Sequence, residues 1–246
     1  MKTDSVRYLK AGVFAAGQGR RLQTKATCLK PLVKVGNRTL VEHVLDSMAE
    51  AGASEVVVII NEDSVAVREH VTAAQWPFLL HWIVETTPSS MHSFLRLVET
   101  LAADGNEGPF LLSTVDTVAE RRAYSQFVSQ VDKLDPAAVT LALTSPTADE
   151  NPLHVRLEPG NSRVIAIGSA AVPSQYVTAG VYAVRPTILL EADAARRDGV
   201  DALRIFLGRL LDRGYEIAGI PITETIDVDC PADIETATAF LRTTSV

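Results

Sequence analysis

Short apolar runs alternate with helical periodicity along the first half of this chain, and that alternation restricts the fold more than any other feature. Ala11–Ala15, Glu55–Ile60, Leu79–Val84 and Pro109–Ser113 are runs of strand length, largely apolar and in part β-branched. Between them, Thr39–Ala51 carries Leu40, Val41, Val44, Leu45 and Met48 at three-to-four spacing and stops at Gly52. Asp63–Ala74 is expected as a helix with Val65, Val67 and Val71 inside it, and Ser90–Ala103 as a helix carrying Phe94, Leu95, Val98 and Leu101. Strands and helices at this spacing predict βαβ units and a mostly parallel sheet, with ligands at the carboxyl ends of the strands.

Past Asp116 the pattern loosens. A helix is expected over Arg121–Leu134 and a strand over Ala138–Leu143. Thr144–Ser174 holds Pro146, Pro152, Pro159 and Pro173 around two short strands, Val155–Leu157 and Val164–Ile167, which read as a hairpin layer over the site. A strand at Tyr176–Val184 follows, then helices at Thr187–Ala195 and Asp201–Asp212. Strands at Tyr215–Ile220 and Thr225–Val228 and a closing helix at Pro231–Leu241 complete the chain. The expected fold is α/β: a Rossmann-like three-layer sandwich with a mixed, mostly parallel central sheet and a small β layer over the active-site edge. Its 246 residues suit one large domain of this kind.

The turn after the first strand concentrates the chemistry. Ala15, Ala16, Gly17 and Gly19 are small, and the glycines let main-chain N–H groups approach an anion. Arg20, Arg21, Lys25 and Lys30 follow, with Lys34 close behind. The chain as a whole carries a formal net charge of -7, which argues against a general nucleic-acid-binding surface and leaves these cations as a local site for a small anion. Two cysteines, Cys28 and Cys230, are too few for a disulfide framework or a four-thiolate zinc site; both are expected to be reduced and incidental. No signal-peptide pattern and no membrane-length apolar run is visible, so a cytoplasmic protein with no membrane partner is expected.

Two phosphate-loop patterns fail on spacing: no third glycine completes Gly17-x-Gly19 as a dinucleotide fingerprint, and no Gly-Lys-Ser/Thr is present. Ala16-Gly-Gln-Gly-Arg-Arg-Leu22 followed by Lys30-Pro-Leu32 instead resembles the signature of the nucleotidyltransferases that activate sugar phosphates and related phosphates. Three later blocks resemble the same family in order: Leu111–Asp116, a strand ending in its metal-binding aspartate; Thr178–Tyr182, its substrate-side strand; and Ile226–Ile234, its late aspartate-rich segment. The resemblance implies transfer of a nucleoside monophosphate from a nucleoside triphosphate to a small phosphorylated acceptor such as a sugar 1-phosphate, with Mg2+ as cofactor. It implies one domain, with a nucleotide-binding half to residue 135 and an acceptor-binding, metal-completing half from 136 onward, and a homo-oligomer is compatible with it.

Residue by residue, the resemblance makes Arg21 a clamp on the triphosphate and Lys30 a compact charge reaching the α-phosphate or the incoming phosphate. It puts the nucleotide against Ala15, Ala16, Gly17, Gly19 and Arg20 and beside Ser89 and Ser90, and the acceptor beside Gly180. The plainer alternatives are a solvated basic turn, a surface lysine at position 30, and a helix cap at Ser89 or Ser90. The Ser90-x-x-Ser93 spacing faintly resembles the choline-phosphate cytidylyltransferase branch, with serines in place of asparagines. Asp116 is the first metal ligand, or else a cap for the next helix. Asp227 and Asp229 compete for the second place; two apart on a strand, both can face the cleft. Pro231 opening the last helix favours Asp229, with Asp227 as co-ligand or support. Asp233 reads as a favourable charge near that helix's N-terminus.

Two departures stand out. Ile165–Ser169 lacks the lysine with which many sugar-phosphate members grip the acceptor, leaving Arg156 or Arg163 for that task, and Arg20 replaces a Thr or Ser. The missing lysine keeps open a second function, that of a non-catalytic nucleotide-binding regulatory protein of the same fold. A nucleotide-sugar-using glycosyltransferase ranks last, because Val115-Asp116-Thr117 is not an Asp-x-Asp.

Overall fold

The computed structural model describes residues 8–17, 29–134, 136–146 and 152–244. In chain order, β1 (Leu9–Phe14) comes first; after Leu29 a 3-10 turn at Lys30–Leu32 leads into a small hairpin, β2 (Lys34–Val35) and β3 (Arg38–Thr39). Then come α1 (Leu40–Glu50), β4 (Ala53–Ile60), α2 (Val65–Thr72), β5 (Leu79–Val84), α3 (Ser90–Leu101) and β6 (Phe110–Thr114). The second half runs β7 (Thr117–Ala119), α4 (Ala123–Val131), β8 (Val139–Thr144), β9 (His154–Leu157), β10 (Val164–Ile167) and β11 (Tyr176–Val184). It closes with α5 (Leu189–Arg197), α6 (Leu203–Asp212), β12 (Ile217–Pro221), β13 (Thr225–Asp227) and α7 (Pro231–Thr244).

Local chemistry explains the element ends. Thr39 and Glu42 form a reciprocal cap at the start of α1: the Thr39 N–H donates to Glu42 Oε2 at 2.7 Å and the Glu42 N–H to Thr39 Oγ1 at 3.4 Å. Leu40, Val41, Val44, Leu45 and Met48 then form its buried face, and Gly52, at φ +82°, turns the chain into β4.

Among the described residues, nine strands make the main sheet. β5, β4, β1 and β6 are parallel neighbours; β11 runs antiparallel to β6 and β8, and β12 runs parallel to β8. Helices cover both faces. Phe94 of α3, Ala192 of α5 and Phe206 of α6 belong to one buried cluster, whereas Leu45 of α1, Val67 of α2 and Phe127 of α4 belong to another. The mixed sheet between two helical layers is the α/β sandwich that the alternation predicted. Phe94 ties the first cluster to the site, its ring 5.9 Å from that of Phe14 at the end of β1 and 6.2 Å from Tyr182 of β11. Burying such a ring stabilises the fold by about 1.5–3 kcal/mol.

The hairpin expected above the site lies elsewhere. β9 pairs with β11 through Tyr176↔Val155 and Val177↔His154, and β10 pairs with β9, so both extend the main sheet. The small β layer is made of β7 and β13, paired antiparallel with Thr117 opposite Asp227. A third cluster, with Val118, Val228 and Ala237, packs α7 against this layer. Among the described residues, no helix is long and apolar enough to cross a membrane.

Candidate active site

The register of the sheet sets the site. Phe14 pairs with both Ile59 and Thr114, so the chain leaves β1, β4 and β6 at one edge. A cleft of about 720 Å³ opens there, lined by Ala16, Gly17, Lys30, Asn61, Ser89, Ser90, Asp116 and Asp229 among others. Backbone and side-chain hydrogen bonds hold the exits together. Ala15 N–H donates to Ile59 O at 2.9 Å, Val115 N–H to Phe14 O at 3.1 Å, and Asn61 Nδ2 to Ala16 O at 3.2 Å. From the small sheet, Val228 N–H donates to Asp116 O at 3.0 Å, which brings the chain after β13 alongside the exit of β6.

Lys30 joins these parts. Its Nζ donates to Asp116 Oδ2 at 2.6 Å and to Asp229 Oδ1 at 2.5 Å, linking residues 86 and 199 positions away. The Lys30 side chain is only 10% exposed. Burial opposes its charge, but the Asp116 and then the Asp229 carboxylate outweigh burial and hold its pKa above the usual lysine range. The ammonium is therefore charged at any physiological pH. Two carboxylates that converge on one compact cation also fit Mg2+, which is commonly held by one or two protein carboxylates with phosphates and water completing the octahedron.

Asp227 takes a different place. β13 ends at Asp227, so the face-sharing expected of residues two apart does not extend to Asp229. Asp227 Oδ1 instead accepts from Thr117 Oγ1 at 2.9 Å, and Thr117 Oγ1 lies 2.8 Å from Thr114 Oγ1. Asp233 does more than carry charge near the α7 N-terminus: its Oδ2 accepts from Asp229 N–H at 2.9 Å and Cys230 N–H at 2.7 Å. Burial raises the Asp233 carboxyl, but these two backbone donors outweigh it and leave its pKa below the ordinary 3.8. A depressed pKa stabilises the fold above the unfolded carboxylate range, and that contribution is lost as pH falls through the folded value. Asp233→Ala is accordingly expected to cost about 1 kcal/mol at pH 7, with a smaller deficit at an acid pH below the ordinary carboxylate range. Urea unfolding of both proteins at the two pH values checks this; an equal deficit at both would contradict it.

The other sequence candidates fall into three groups. Gly19, Arg20 and Arg21, with Cys28, lie outside the described residues. Ser89 and Ser90 line the cleft with their side chains engaged: Ser89 Oγ is 2.8 Å from His92 Nδ1, and Ser90 Oγ accepts from Leu203 N–H at 3.1 Å. Ser89 sits at the N-cap of α3 without a side-chain cap bond. Gly180 faces a packing demand and not the cleft: a β-carbon on it would stand 2.2 Å from Thr117 Oγ1. Arg156 lines a separate cavity between β9 and β12, and Arg163 bridges to Ala218, so neither reaches this cleft. Asn61, Thr114 and Thr117 are residues at the site that no sequence motif marks. Their only signal was position, as polar residues at or just past a strand end on the ligand edge.

The profile of the MobA-like NTP transferase domain matches residues 11–196. A mannose-1-phosphate guanyltransferase from Emericella nidulans is 30% identical over 115 residues, 46% of this chain and 31% of the relative. A CMP-5'-(3-aminopropyl)phosphonate synthase from Streptomyces rubellomurinus is 32% identical over 105 residues, 42% of this chain and 17% of the relative. The matches thus span a third or less of these two relatives' lengths. Among solved structures, the inositol-1-phosphate CTP transferase from T. maritima superposes with a TM-score of 0.77 at 18% identity, over 96% of both chains. A putative glucose-1-phosphate thymidylyltransferase from Bacillus anthracis does so with a TM-score of 0.78 at 16% identity, over 95% of both. At those identities the likeness is one of fold.

Proposed function

The chain belongs to the MobA-like NTP transferase family, and from that premise we propose that it transfers a nucleoside monophosphate from a nucleoside triphosphate to a small phosphorylated acceptor, releasing pyrophosphate. An oxygen of the acceptor phosphate attacks the α-phosphorus in line. The bond from that phosphorus to the β-bridging oxygen breaks, and pyrophosphate leaves with the electron pair. The nucleophile is already ionised, so no general base is required, and the protein's task is to position two anions and offset their charge. The acceptor class is a small polyol or sugar phosphate, as in the names of the mannose-1-phosphate, inositol-1-phosphate and glucose-1-phosphate relatives.

One observation carries this proposal: Lys30, Asp116 and Asp229 meet at a single cation position beside the glycine turn, at the carboxyl edge of parallel strands. In this role Asp116 and Asp229 would hold Mg2+, and Asp227 supports the layer beneath through Thr117. The metal, when bound, would neutralise phosphate charge and act as a Lewis acid at the α-phosphate. Ala15, Ala16 and Gly17 shape the nucleotide side, with Gly19, Arg20 and Arg21 assigned to the triphosphate by their place in the signature. Ser89 and Ser90 border the base, and the acceptor enters from the half beginning at residue 136.

The test is a screen of purified protein with each of the common nucleoside triphosphates against a panel of phosphorylated polyols and sugars, with Mg2+ present and pyrophosphate followed. Release with a specific pairing is expected. Nucleotide binding without release from any pairing would move the protein to the regulatory function instead.

A further inference from the structure

Among the described residues lining the cleft, Lys30 is the single cation, and Asp63, Asp116 and Asp229 are the anions. Its ammonium bonds both carboxylates that would hold the metal, at 2.6 and 2.5 Å. An ammonium that close occupies one oxygen of each carboxylate, Asp116 Oδ2 and Asp229 Oδ1, and a divalent ion drawn to the same pair would repel it strongly in a half-buried site. Without Lys30, the two carboxylates would have no counter-charge among the described residues lining the cleft.

We propose that Lys30 is the resident counter-ion of the metal position: it and a divalent cation compete for Asp116 and Asp229, and its displacement is what frees it to reach phosphate. The inference rests on the function proposed above and adds a role for Lys30 before nucleotide arrives. Lysine suits the task, with a compact charge on a four-carbon stem that can leave one anion and reach another. Competition of this kind is reciprocal: metal loosens Lys30, and loss of the Lys30 charge tightens metal. It holds the carboxylates together in the ligand-free protein while discouraging metal from binding there without a phosphate to receive the lysine.

The experiment is Mn2+ binding without nucleotide, by calorimetry or electron paramagnetic resonance, for the unmodified protein and Lys30→Met, which keeps the stem and removes the charge. Lys30→Met is expected to bind Mn2+ roughly tenfold more tightly, within the usual range of coupling between sites. Equal or weaker binding by Lys30→Met would overturn the inference and leave the proposed function standing. If neither protein binds Mn2+ even with a non-hydrolysable triphosphate analogue present, the metal assignment itself falls, and the inference with it. Should Lys30→Met not fold, the unmodified protein decides alone. Nitrogen-15 NMR of labelled lysine ammonium groups should show a protected Lys30 signal that disappears on adding Mg2+; a signal unchanged at saturating Mg2+ contradicts the exchange.

Discussion

Asp229→Asn is expected to lower Mg2+-dependent turnover by about a hundred- to a thousandfold, or some 3–4 kcal/mol in the barrier, while the protein stays folded. The asparagine keeps the shape and the backbone bond to Asp233, but it removes one of the two charges that meet at the Lys30 ammonium. A neutral amide is a poor ligand for Mg2+ and a poor partner for Lys30, so the positioning of both cations suffers. Asp116→Asn should do as much for the same reason, its Oδ2 being the other partner of Lys30. Asp227→Asn is the internal control. Its carboxylate accepts from Thr117 at the edge of the small sheet, an amide oxygen can accept there too, and a loss below about tenfold is expected. Turnover with Mg2+ together with thermal unfolding of the three variants checks the set. An Asp227→Asn loss as large as that of Asp229→Asn would reverse the assignment of the second ligand.

The second large effect concerns stability. Gly180 lies at φ +69° inside a break in β11, where Thr178 pairs with Leu143 of β8 and the next register is Tyr182 with Leu141. More residues lie on β11 than on β8 between those pairs, which is a bulge, and the positive φ is a backbone angle that alanine adopts only under strain. The space is closed as well: a β-carbon would stand 2.2 Å from Thr117 Oγ1 and 2.6 Å from Thr114 Oγ1. Those hydroxyls bond each other, and Thr117 bonds Asp227, so neither can move without loosening the floor of the small sheet. Gly180→Ala should therefore cost about 3 kcal/mol or more, a fall in Tm of roughly 6–12 °C for a protein of this size. Gly36→Ala supplies the comparison, since Gly36 has φ +62° but nothing within 4 Å of its β-carbon position. It should lose only the backbone part, about 1 kcal/mol. Thermal and urea unfolding of the pair separates crowding from conformation; equal losses would mean that the threonine contacts do not matter.

The parts legible in the sequence are those with a period. β5 and β11 occupy the residues expected, Leu79–Val84 and Tyr176–Val184, because each is a long run of strand-forming residues between breaks. α1 carries both a face and a cap, and it too appears where its pattern ends. β7 has three residues and β2 and β3 two each, too few to show alternation of any kind. β9 and β10 were recognisable as strands, but a short alternating run says nothing about which edge it will join. They extended the main sheet because β11 outruns the register of β6 and leaves Tyr176 and Val177 to pair with β9.

For the site, Lys30, Asp116 and Asp229 are all expected from the sequence blocks that resemble the family. No local pattern shows that residues 30, 116 and 229 meet; that follows from sheet order and from the Val228 bond to Asp116 O. The strand argument for Asp227 and Asp229 failed because β13 stops between them, with Asp233 drawing the next two N–H groups into the start of α7. Asn61 and Thr117 carry no motif at all. They acquire meaning only once β4 and the small sheet are seen to end beside the glycine turn.

In the proposed reaction an acceptor phosphate oxygen becomes the bridge to a transferred nucleoside monophosphate. Phosphorus-31 NMR of a complete reaction, with the acceptor phosphate labelled in oxygen-18, tests it most directly. The acceptor phosphorus should move to a coupled phosphoanhydride doublet that retains the label in the bridge, with pyrophosphate formed in equal amount. Orthophosphate or free nucleoside monophosphate accumulating with no doublet, or label lost to water from the bridge, would contradict it.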